Sequence, residues 1–373
     1  MGSITYCSRI EQLIPTHLLN LSQEGATEMK AVVVEVPGPP EVLEVRTLPD
    51  PVPTGRECLV RVMACGVTAH DVATRSGTLK RGVVLPLICG HEISGEVVGV
   101  GPEVTEWVPG DSVVSTQRRR VCGRCKWCRS GRESHCAEQE FLGDVGLNGG
   151  YAEYVLIEED NLARKPDSLP HTEACIVASA VGTELNALCD VAQVKAGETV
   201  LITGAGGGLG IHGIQVARAC GARVLAVTTS EEKVSMLKEL GAEVLLAERG
   251  QDFSELVLAS TAGEGVDVAI DNVGSAVFTQ VRRSMARGGR WVLVGQLTGE
   301  FISFNPAQLF LRGIHLLSAL STSREQLRSS LSLIERGLVR PVVTTVLPLS
   351  KVVEAHRIVE AGTNVGRVVV TPD

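Results

Sequence analysis

The chain has 373 residues, 44% of them hydrophobic and 3% aromatic, with a formal net charge of −8. This length is sufficient for two domains of ordinary size. The acidic balance disfavours a nucleic-acid partner, and no uncharged apolar run approaches the roughly 18 residues needed to cross a bilayer. Polar residues such as Glu11 and His17 argue against a signal peptide. We therefore predict a cytoplasmic protein that acts on a small molecule, without a nucleic-acid or membrane partner.

The first elements along the chain predict a mostly β domain. Residues 1–28 show no hydrophobic periodicity and are predicted to form a flexible extension. A strand-like run, MKAVVV, begins at Met29. From there to about residue 160, short Val-rich runs alternate with glycine and proline, which indicates strands separated by turns.

Four of the eleven cysteines lie close together in the segment CGRCKWCRSGRESHC. Spacings of three, three and eight residues bring four thiolates within reach of one tetrahedral ion, so we predict one structural zinc. The alternative is four free thiols in an exposed loop, where they would be prone to oxidation. The predicted zinc ligands are Cys122, Cys125, Cys128 and Cys136.

The remaining cysteines show no pairing rhythm. In a reducing compartment this indicates small buried thiols rather than a disulfide framework. The basic run Arg118, Arg119 and Arg120 beside the cysteine segment is expected to form a solvated face, with attraction of an anionic substrate as the alternative. The seven remaining cysteines are Cys7, Cys58, Cys65, Cys89, Cys175, Cys189 and Cys220.

Between about residues 180 and 320 the pattern changes. Apolar runs such as ETVLITG, ARVLAVT, VDVAIDNVG and RWVLVGQ are separated by helix-like stretches. This alternation is typical of a parallel sheet that is covered on both faces.

A glycine-rich turn follows the first of these strands and precedes a helix-like segment that stops at Gly221. Glycines let the backbone approach a pyrophosphate, and a helix N-terminus supplies free amides and a positive dipole. A purely structural turn is the alternative. Val273 and Gly295, which follow later strand runs, are predicted to contact the same cofactor. The predicted cofactor residues of the turn are Gly204, Gly206, Gly207, Gly208, Leu209 and Gly210.

The choice of coenzyme depends on the end of the next strand. Thr229, Ser230 and Lys233 lie about where a binder of NAD usually places an acidic residue on the ribose diol. Hydroxyls and a lysine can instead receive a 2'-phosphate, so we predict NADPH. Glu231 and Glu232 lie close by and leave NADH open.

Together these features resemble the medium-chain dehydrogenase/reductase family, which contains zinc alcohol dehydrogenases and quinone reductases. The resemblance runs from Met29 to the C-terminus. Its marks are the opening MKAVVV, the segment ACGVTAHD, the triplet Gly90-His91-Glu92, the cysteine segment, the glycine-rich turn and the tail VLPLSKVVEAHRIVEAGTNVGRVVV.

The resemblance implies an α/β fold with two domains. A GroES-like, mostly β substrate domain would comprise residues 29–178 and 323–373 and carry a zinc lobe at about 118–138. A Rossmann domain with a doubly wound parallel sheet would comprise residues 179–322. In the family an edge strand, here within residues 312–320, pairs across a two-fold axis, so a homodimer or homotetramer is expected.

Alcohol dehydrogenases of this family hold a catalytic zinc with two cysteines and one histidine. On this chain those positions read Thr68, Ser179 and His91, and Glu92 follows the histidine. A hydroxyl is a far poorer zinc ligand than a thiolate, so we expect chemistry without a catalytic metal. Substitute ligands would have to come from Cys65, His70, Asp71 or Cys175.

The leading hypothesis is NAD(P)H-dependent reduction of an activated carbon–carbon double bond, in an enone or an enoyl thioester. The enolate that forms needs only hydrogen-bond donors and later a proton. Thr68 and Ser179 are the predicted donors to the substrate oxygen. His70 is the predicted proton donor, with a hydrogen-bonded wall residue as the alternative.

Other interpretations stay open. His91 and Glu92 are interpreted either as part of the catalytic site or as a polar brace with Asp71 or an arginine. One alternative function is an alcohol or aldehyde dehydrogenase with an atypical metal site. Another is a regulatory protein that binds the nucleotide but does not catalyse a reaction.

Overall fold

The structure is a computed structural model that describes residues 27–79, 83–144 and 146–373. The predicted extension, residues 1–28, lies outside the described residues except at its last two positions, and the first strand begins at Glu28.

The described strands are, in chain order, β1 (Glu28–Val34), β2 (Leu43–Pro49), β3 (Glu57–Val67), β4 (Glu92–Val100), β5 (Ser112–Ser115), β6 (Arg118–Arg120), β7 (Glu140–Phe141), β8 (Tyr154–Glu158), β9 (Leu162–Arg164), β10 (Thr199–Ile202), β11 (Arg223–Thr228), β12 (Glu243–Leu246), β13 (Val266–Asp271), β14 (Met285–Leu293), β15 (His315–Ser318), β16 (Val343–Pro348) and β17 (Arg367–Thr371). The described α-helices are α1 (Ala69–Ser76), α2 (His171–Ala174), α3 (Thr183–Leu185), α4 (Gly210–Ala219), α5 (Val234–Glu239), α6 (Ser254–Ser260), α7 (Phe278–Ser284), α8 (Ala307–Phe310), α9 (Arg324–Glu335) and α10 (Val352–Ala361). Two π-helical segments, Val177–Gly182 and Asn186–Val191, join α2 and α3 into one helical run.

A six-stranded parallel sheet forms the second half of the molecule, in the order β12-β11-β10-β13-β14-β15. Its central strands are buried because both faces are covered, as the side chains of Val200, Ile202 and Ile270 show. The strand order reverses between β10 and β13. Ligands of open parallel sheets bind beside the carboxyl ends of the strands at such a point.

The other large sheet has seven strands, in the order β16-β17-β3-β4-β5-β9, with β8 also paired to β3. Its main pairings are antiparallel, except that β16 and β17 run parallel. The C-terminal strand β17 pairs with β3, with Val369 opposite Gly66. The tail of the chain therefore lies in the same sheet as residues 57–100.

Helix α9 follows the parallel sheet and packs on the π-helical segment Val177–Gly182. Its Leu327 and Leu331 lie in the same apolar core as Val200 and Ile202 of β10. Helix α9 thus contacts the nucleotide half, although the resemblance assigns residues 323–373 to the substrate domain. The domain boundaries stay a prediction.

The helical run His171–Val191 is long and apolar enough to cross a membrane by length and composition. Most of it is buried inside the protein, where Ala178 and Leu188 are fully covered. A buried core helix meets the same length and composition criteria, so this run is weak evidence for a membrane span.

Candidate active site and cysteine lobe

The glycine-rich turn lies between the carboxyl end of β10 and the N-terminus of α4. Gly204 has φ +59°, a left-handed conformation that favours glycine. A Cβ on Gly210 would lie 2.6 Å from the carbonyl oxygen of Gly204, so the close approach of helix and turn also requires glycine. The turn therefore presents backbone amides at a helix N-terminus, where a pyrophosphate would be favoured.

Val273 and Gly295 lie at the same edge of the sheet as this turn. The Cγ2 atom of Val273 lies 3.2 Å from where a Cβ on Gly204 would be, and a Cβ on Gly295 would lie 2.4 Å from the carbonyl oxygen of Asn272. Beneath them, the buried Asp271 accepts hydrogen bonds from the Thr203 hydroxyl at 2.9 Å and from the Val273 amide at 3.0 Å. No local pattern in the sequence marks Asp271, which positions this loop.

The end of β11 presents an exposed Thr229 and a half-exposed Ser230. Lys233 is placed differently, because its Nζ donates hydrogen bonds to the carbonyl oxygens of Gly362 at 2.8 Å and Asn364 at 2.6 Å. Burial lowers the pKa of Lys233. The ammonium group that was predicted to receive a 2'-phosphate thus holds the loop before β17.

Arg367, the first residue of β17, connects the glycine-rich turn with the predicted catalytic residues. Its Nη2 lies 2.8 Å from Glu92 Oε1 and donates to the Ser179 hydroxyl at 3.3 Å. Its Nη1 lies 2.4 Å from where a Cβ on Gly208 would be. Burial raises the pKa of Glu92, although Arg367 and His91 oppose this effect. The arginine of the predicted brace is Arg367 for Glu92, and no local pattern in the sequence points to that residue.

Asp71 organises the other part of the site. Its Oδ2 accepts hydrogen bonds from the Thr68 amide at 2.9 Å and the Thr68 hydroxyl at 2.6 Å, and its Oδ1 accepts one from the Gly90 amide at 3.0 Å. The Thr68 hydroxyl in turn accepts from the Asp71 amide, which completes a capping box at the start of α1. The Thr68 hydroxyl, which is predicted to donate to a substrate oxygen, therefore already donates a hydrogen bond to Asp71.

His91 lies against the same carboxylate, with its Nδ1 3.4 Å from Asp71 Oδ1. Burial is the largest single effect on His91 and favours its neutral form, but the charge and hydrogen bonding of Asp71 together with the charge of Glu92 outweigh burial and raise the pKa of His91. Burial likewise opposes ionisation of Asp71, yet His91 and Thr68 hold the pKa of that carboxyl well below its usual range. The brace predicted for His91 and Glu92 thus has two halves, one to Asp71 and one to Arg367.

His70 is the most accessible of the predicted catalytic side chains, with 35% of its side chain exposed. Its Nε2 lies 3.3 Å from Asp144 Oδ2, and its ring meets that of His91 edge-on at 5.2 Å between centroids. Phe141 packs against both rings. This arrangement places a partly exposed imidazole beside the buried pair of His91 and Asp71.

The four predicted zinc ligands are gathered in one lobe. Their sulfur atoms all lie within 4.8 Å of one another, with Cys125 Sγ 3.6 Å and Cys122 Sγ 3.9 Å from Cys128 Sγ. Four sulfurs at about 2.3 Å from a tetrahedral zinc are separated by about 3.8 Å, so the donor set fits this ion. Backbone amides lower the pKa of Cys122 to about 7, which favours the thiolate that zinc requires.

Only part of the arginine run beside the lobe is exposed to solvent, because Arg119 and Arg120 are partly or largely exposed and Arg118 is buried. Arg118 is fully buried and donates to the Ser321 hydroxyl at 2.8 Å and the Thr322 carbonyl at 2.6 Å. Arg119 and Arg120 both contact Glu140, at 2.7 and 3.2 Å. The expectation of a solvated face is therefore wrong for Arg118, and the other two arginines are ion-paired.

Comparison with known proteins assigns both halves of the chain. Residues 54–167 match the model of the alcohol dehydrogenase GroES-like domain, and residues 208–336 match that of the zinc-binding dehydrogenases. The chain is 33% identical to acryloyl-coenzyme A reductase of Metallosphaera sedula, over 92% of this chain and all of the relative. It is 35% identical to an alcohol dehydrogenase of Geobacillus stearothermophilus, with the same coverage.

The chain belongs to the medium-chain dehydrogenase/reductase family. The crystal structure of AibC superposes with a TM-score of 0.86 at 44% identity, covering 94% of this chain and 97% of AibC. The family prediction and the predicted fold, a GroES-like domain with a Rossmann-like parallel sheet, are confirmed. This medium-chain dehydrogenase/reductase is an NAD(P)-dependent oxidoreductase.

The positions of the family's catalytic zinc ligands carry other contacts in this medium-chain dehydrogenase/reductase. Thr68 caps α1, and Ser179 contacts Arg367. Cys65 and Cys175 are fully buried, and burial raises the pKa of both thiols well above its usual range. Within residues 27–79, 83–144 and 146–373, the cysteine lobe is the only close cluster of three or more His, Cys, Asp or Glu ligands.

Proposed function

We propose that this protein reduces an activated carbon–carbon double bond, in an enoyl thioester or an enone, at the expense of NADPH and without a catalytic metal. The observation that carries the proposal is the bonding at the two former thiolate positions. The Thr68 hydroxyl is shared with Asp71, and the Ser179 hydroxyl lies against Arg367. Neither hydroxyl can replace the thiolate that would bind a zinc ion together with His91.

The residues of the turn fit a nicotinamide dinucleotide, which would supply the hydride to the β-carbon of the substrate. Gly206 and Gly208 would offer their amides to the pyrophosphate, whereas the Gly207 amide donates to the Gly204 carbonyl within the turn. The guanidinium of Arg367 lies beside Gly208 and would help to hold the same phosphates. Asp271 fixes the loop of Val273 at the other side of the crevice.

After hydride transfer the substrate is an enolate, which needs a proton at its α-carbon. We assign that proton to His70, whose ring is half-exposed and is held by Asp144. The Thr68 hydroxyl donates to Asp71 and can donate to the enolate oxygen only when it leaves that partner. The Ser179 hydroxyl accepts from Arg367, so its own proton can be donated to the enolate oxygen. We therefore propose that Thr68 acts chiefly by holding Asp71 in place, and that Ser179, positioned by Arg367, donates to the enolate oxygen.

The names of the relatives support both reduction and alcohol oxidation, because acryloyl-coenzyme A reductases and alcohol dehydrogenases match over similar lengths. The altered ligand positions favour reduction. For an alcohol dehydrogenase, a metal ion would have to polarise the substrate oxygen.

The test uses purified protein before and after treatment with EDTA. We expect NADPH-dependent reduction of acryloyl-coenzyme A in both samples, and no oxidation of primary alcohols with NADP⁺ or NAD⁺. His70→Gln should lower kcat by about 10²-fold, the size of a lost general acid. The matched control is His315→Gln, at an exposed position in β15. Alcohol oxidation that EDTA abolishes would overturn the proposal.

We also propose that the cysteine lobe holds one structural zinc. Elemental analysis of the same samples should give one zinc per chain, retained after mild chelation because the ion has four protein ligands and no open position. Two zinc ions per chain would show that a second site exists and would contradict the metal-free mechanism.

A further inference from the structure

Cys189 and Cys220 lie side by side, although the sequence analysis treated them as unpaired buried thiols. Their sulfur atoms are 3.6 Å apart. Cys189 belongs to the π-helical segment Asn186–Val191, and Cys220 directly follows α4. Both are partly exposed. The other described cysteines outside the lobe are all buried, namely Cys58, Cys65, Cys89 and Cys175.

The geometry allows these two thiols to react with each other. A disulfide has an S–S length of about 2.05 Å, so the sulfurs need to approach by about 1.5 Å. Cys220 lies at the end of a helix, where the backbone is less constrained than in its middle. The hydrogen bond between the two thiols, in which either sulfur can be the donor, lowers the pKa of Cys220 to about 7. Cys220 is therefore the better nucleophile of the two.

We propose that Cys189 and Cys220 form a reversible intramolecular disulfide when the protein meets a peroxide. The Cys220 thiolate attacks one peroxide oxygen and breaks the O–O bond, giving a sulfenic acid and one water after proton transfer. The Cys189 thiol then attacks the sulfenic sulfur, and the second oxygen leaves as water. Two thiols are oxidised by two electrons while one hydrogen peroxide is reduced to two waters.

The cross-link would enclose the nucleotide-binding turn in a covalent loop. The residues between the two cysteines, 190–219, include β10, the glycine-rich turn and α4. Closing such a loop restricts the unfolded chain and stabilises the folded one. Helix α4 has ten residues, about 15 Å, and the disulfide lies at the end away from the turn. We therefore expect the oxidised protein to resist heat better and to bind its coenzyme as before.

The experiment treats the zinc-loaded full chain with equimolar hydrogen peroxide, alkylates the remaining thiols and maps the peptides by mass spectrometry. The expected result is a peptide pair linked through Cys189 and Cys220, a mass lower by two hydrogens, and a Tm that rises and returns after dithiothreitol. Cys189→Ser and Cys220→Ser should each abolish the link and the rise in Tm. Cys58→Ser, a change at a buried cysteine, should abolish neither.

Zinc release is followed in the same samples with a chromogenic chelator. If the lobe cysteines oxidise and release zinc while Cys189 and Cys220 remain open to alkylation, the proposal is wrong. A link between two chains instead of within one would equally overturn it, because the geometry places both thiols in the same chain.

Discussion

The buried contact between Glu92 and Arg367 joins the catalytic residues to the nucleotide turn. Glu92 is fully buried, and Arg367 is 9% exposed. Arg367→Met would leave a carboxylate buried without its partner, which costs about 3–5 kcal/mol of unfolding free energy. Because burial raises the pKa of Glu92, the carboxyl takes up a proton more readily at pH 5, so we expect the larger cost at pH 8.5 and a smaller one at pH 5. Urea unfolding at both values measures this difference.

Two further variants make the measurement specific to the pair. The double variant Glu92→Gln with Arg367→Met should regain part of the lost stability, because it removes the stranded charge. Arg357→Met is the control, since its pairing with Glu41 is exposed and contributes little to stability. A double variant no more stable than Arg367→Met alone would show that the unpaired carboxylate of Glu92 does not cause the loss of stability.

His91 should make stability depend on pH. Its pKa is raised in the folded protein, so its contribution is complete below the unfolded value of about 6.5 and is lost as pH rises through the folded value. The stability difference between the wild type and His91→Gln should therefore be larger at pH 5.5 than at pH 8.5. Chemical denaturation at the two pH values checks this.

His171 should make stability depend on pH in the opposite direction. Burial lowers its pKa, so protonation at low pH opposes folding. The free energy of unfolding of His171→Gln, relative to that of the wild type, should accordingly be higher at pH 5.5 than at pH 8.5. Parallel pH trends in both variants would contradict the assigned electrostatics.

At the scale of elements, Lys233 connects the end of β11 with the loop that precedes β17. Its two hydrogen bonds go to backbone carbonyls, so Lys233→Ala should loosen that loop and with it the position of Arg367. We expect KM to rise by a similar factor, about tenfold for a loss of 1.4 kcal/mol, for NADPH and for NADH. Steady-state kinetics with both coenzymes measure this.

The outcome also tests the predicted coenzyme contact. If Lys233→Ala raises KM for NADPH alone, the ammonium group binds a 2'-phosphate as the sequence analysis proposed, and its carbonyl contacts are secondary. Lys238→Ala, a change in the last turn of α5, is the control and should leave both KM values unchanged.

Over the whole molecule, the cysteine lobe is attached to the segment that leads from the parallel sheet into α9. Arg118 bonds Ser321 and Thr322, and Glu133 accepts from the amide of Arg324. We expect Cys125→Ser to lower the zinc content below one per chain and to speed hydrogen exchange in residues 321–324 as well as in the lobe.

Mass spectrometry of deuterated peptides shows which residues exchange faster in Cys125→Ser. Cys58→Ser is the control. Faster exchange confined to residues 122–136 would mean that the lobe is independent of the rest of the molecule. Faster exchange in residues 321–324 would mean that the zinc also supports the connection between the two sheets.

The predicted homodimer concerns the apolar surface near the edge strand β15. Phe310 and Leu311 are 67% and 69% exposed, and Phe301 is fully exposed. Burying these side chains against a second copy would remove apolar area from water. We expect Leu311→Glu to shift the protein towards a monomer in light scattering, while Val52→Glu, at another exposed apolar position, should not. A wild-type monomer would contradict the prediction.

The local patterns of the sequence were sufficient for the fold and for two parts of the site. Glycines between a buried strand and a helix have few interpretations, and four cysteines at short spacing need no distant residue to form a cluster. For the same reason Thr68 and Ser179 could be recognised as departures from the family's ligand pattern. These inferences depend on neighbours along the chain, and such neighbours are visible in the sequence.

Only the tertiary structure decided how these residues are paired. Pairing of β17 with β3 brings Arg367 to Glu92, and the loop before β17 takes up the ammonium group of Lys233. Packing also buries Arg118 and places Cys189 against Cys220. Each of these contacts joins residues that are far apart in the sequence, and no local periodicity encodes which distant strand or helix will supply a partner. The sequence by itself determined the elements and the kinds of site, whereas packing of the two sheets decided which charges and thiols meet.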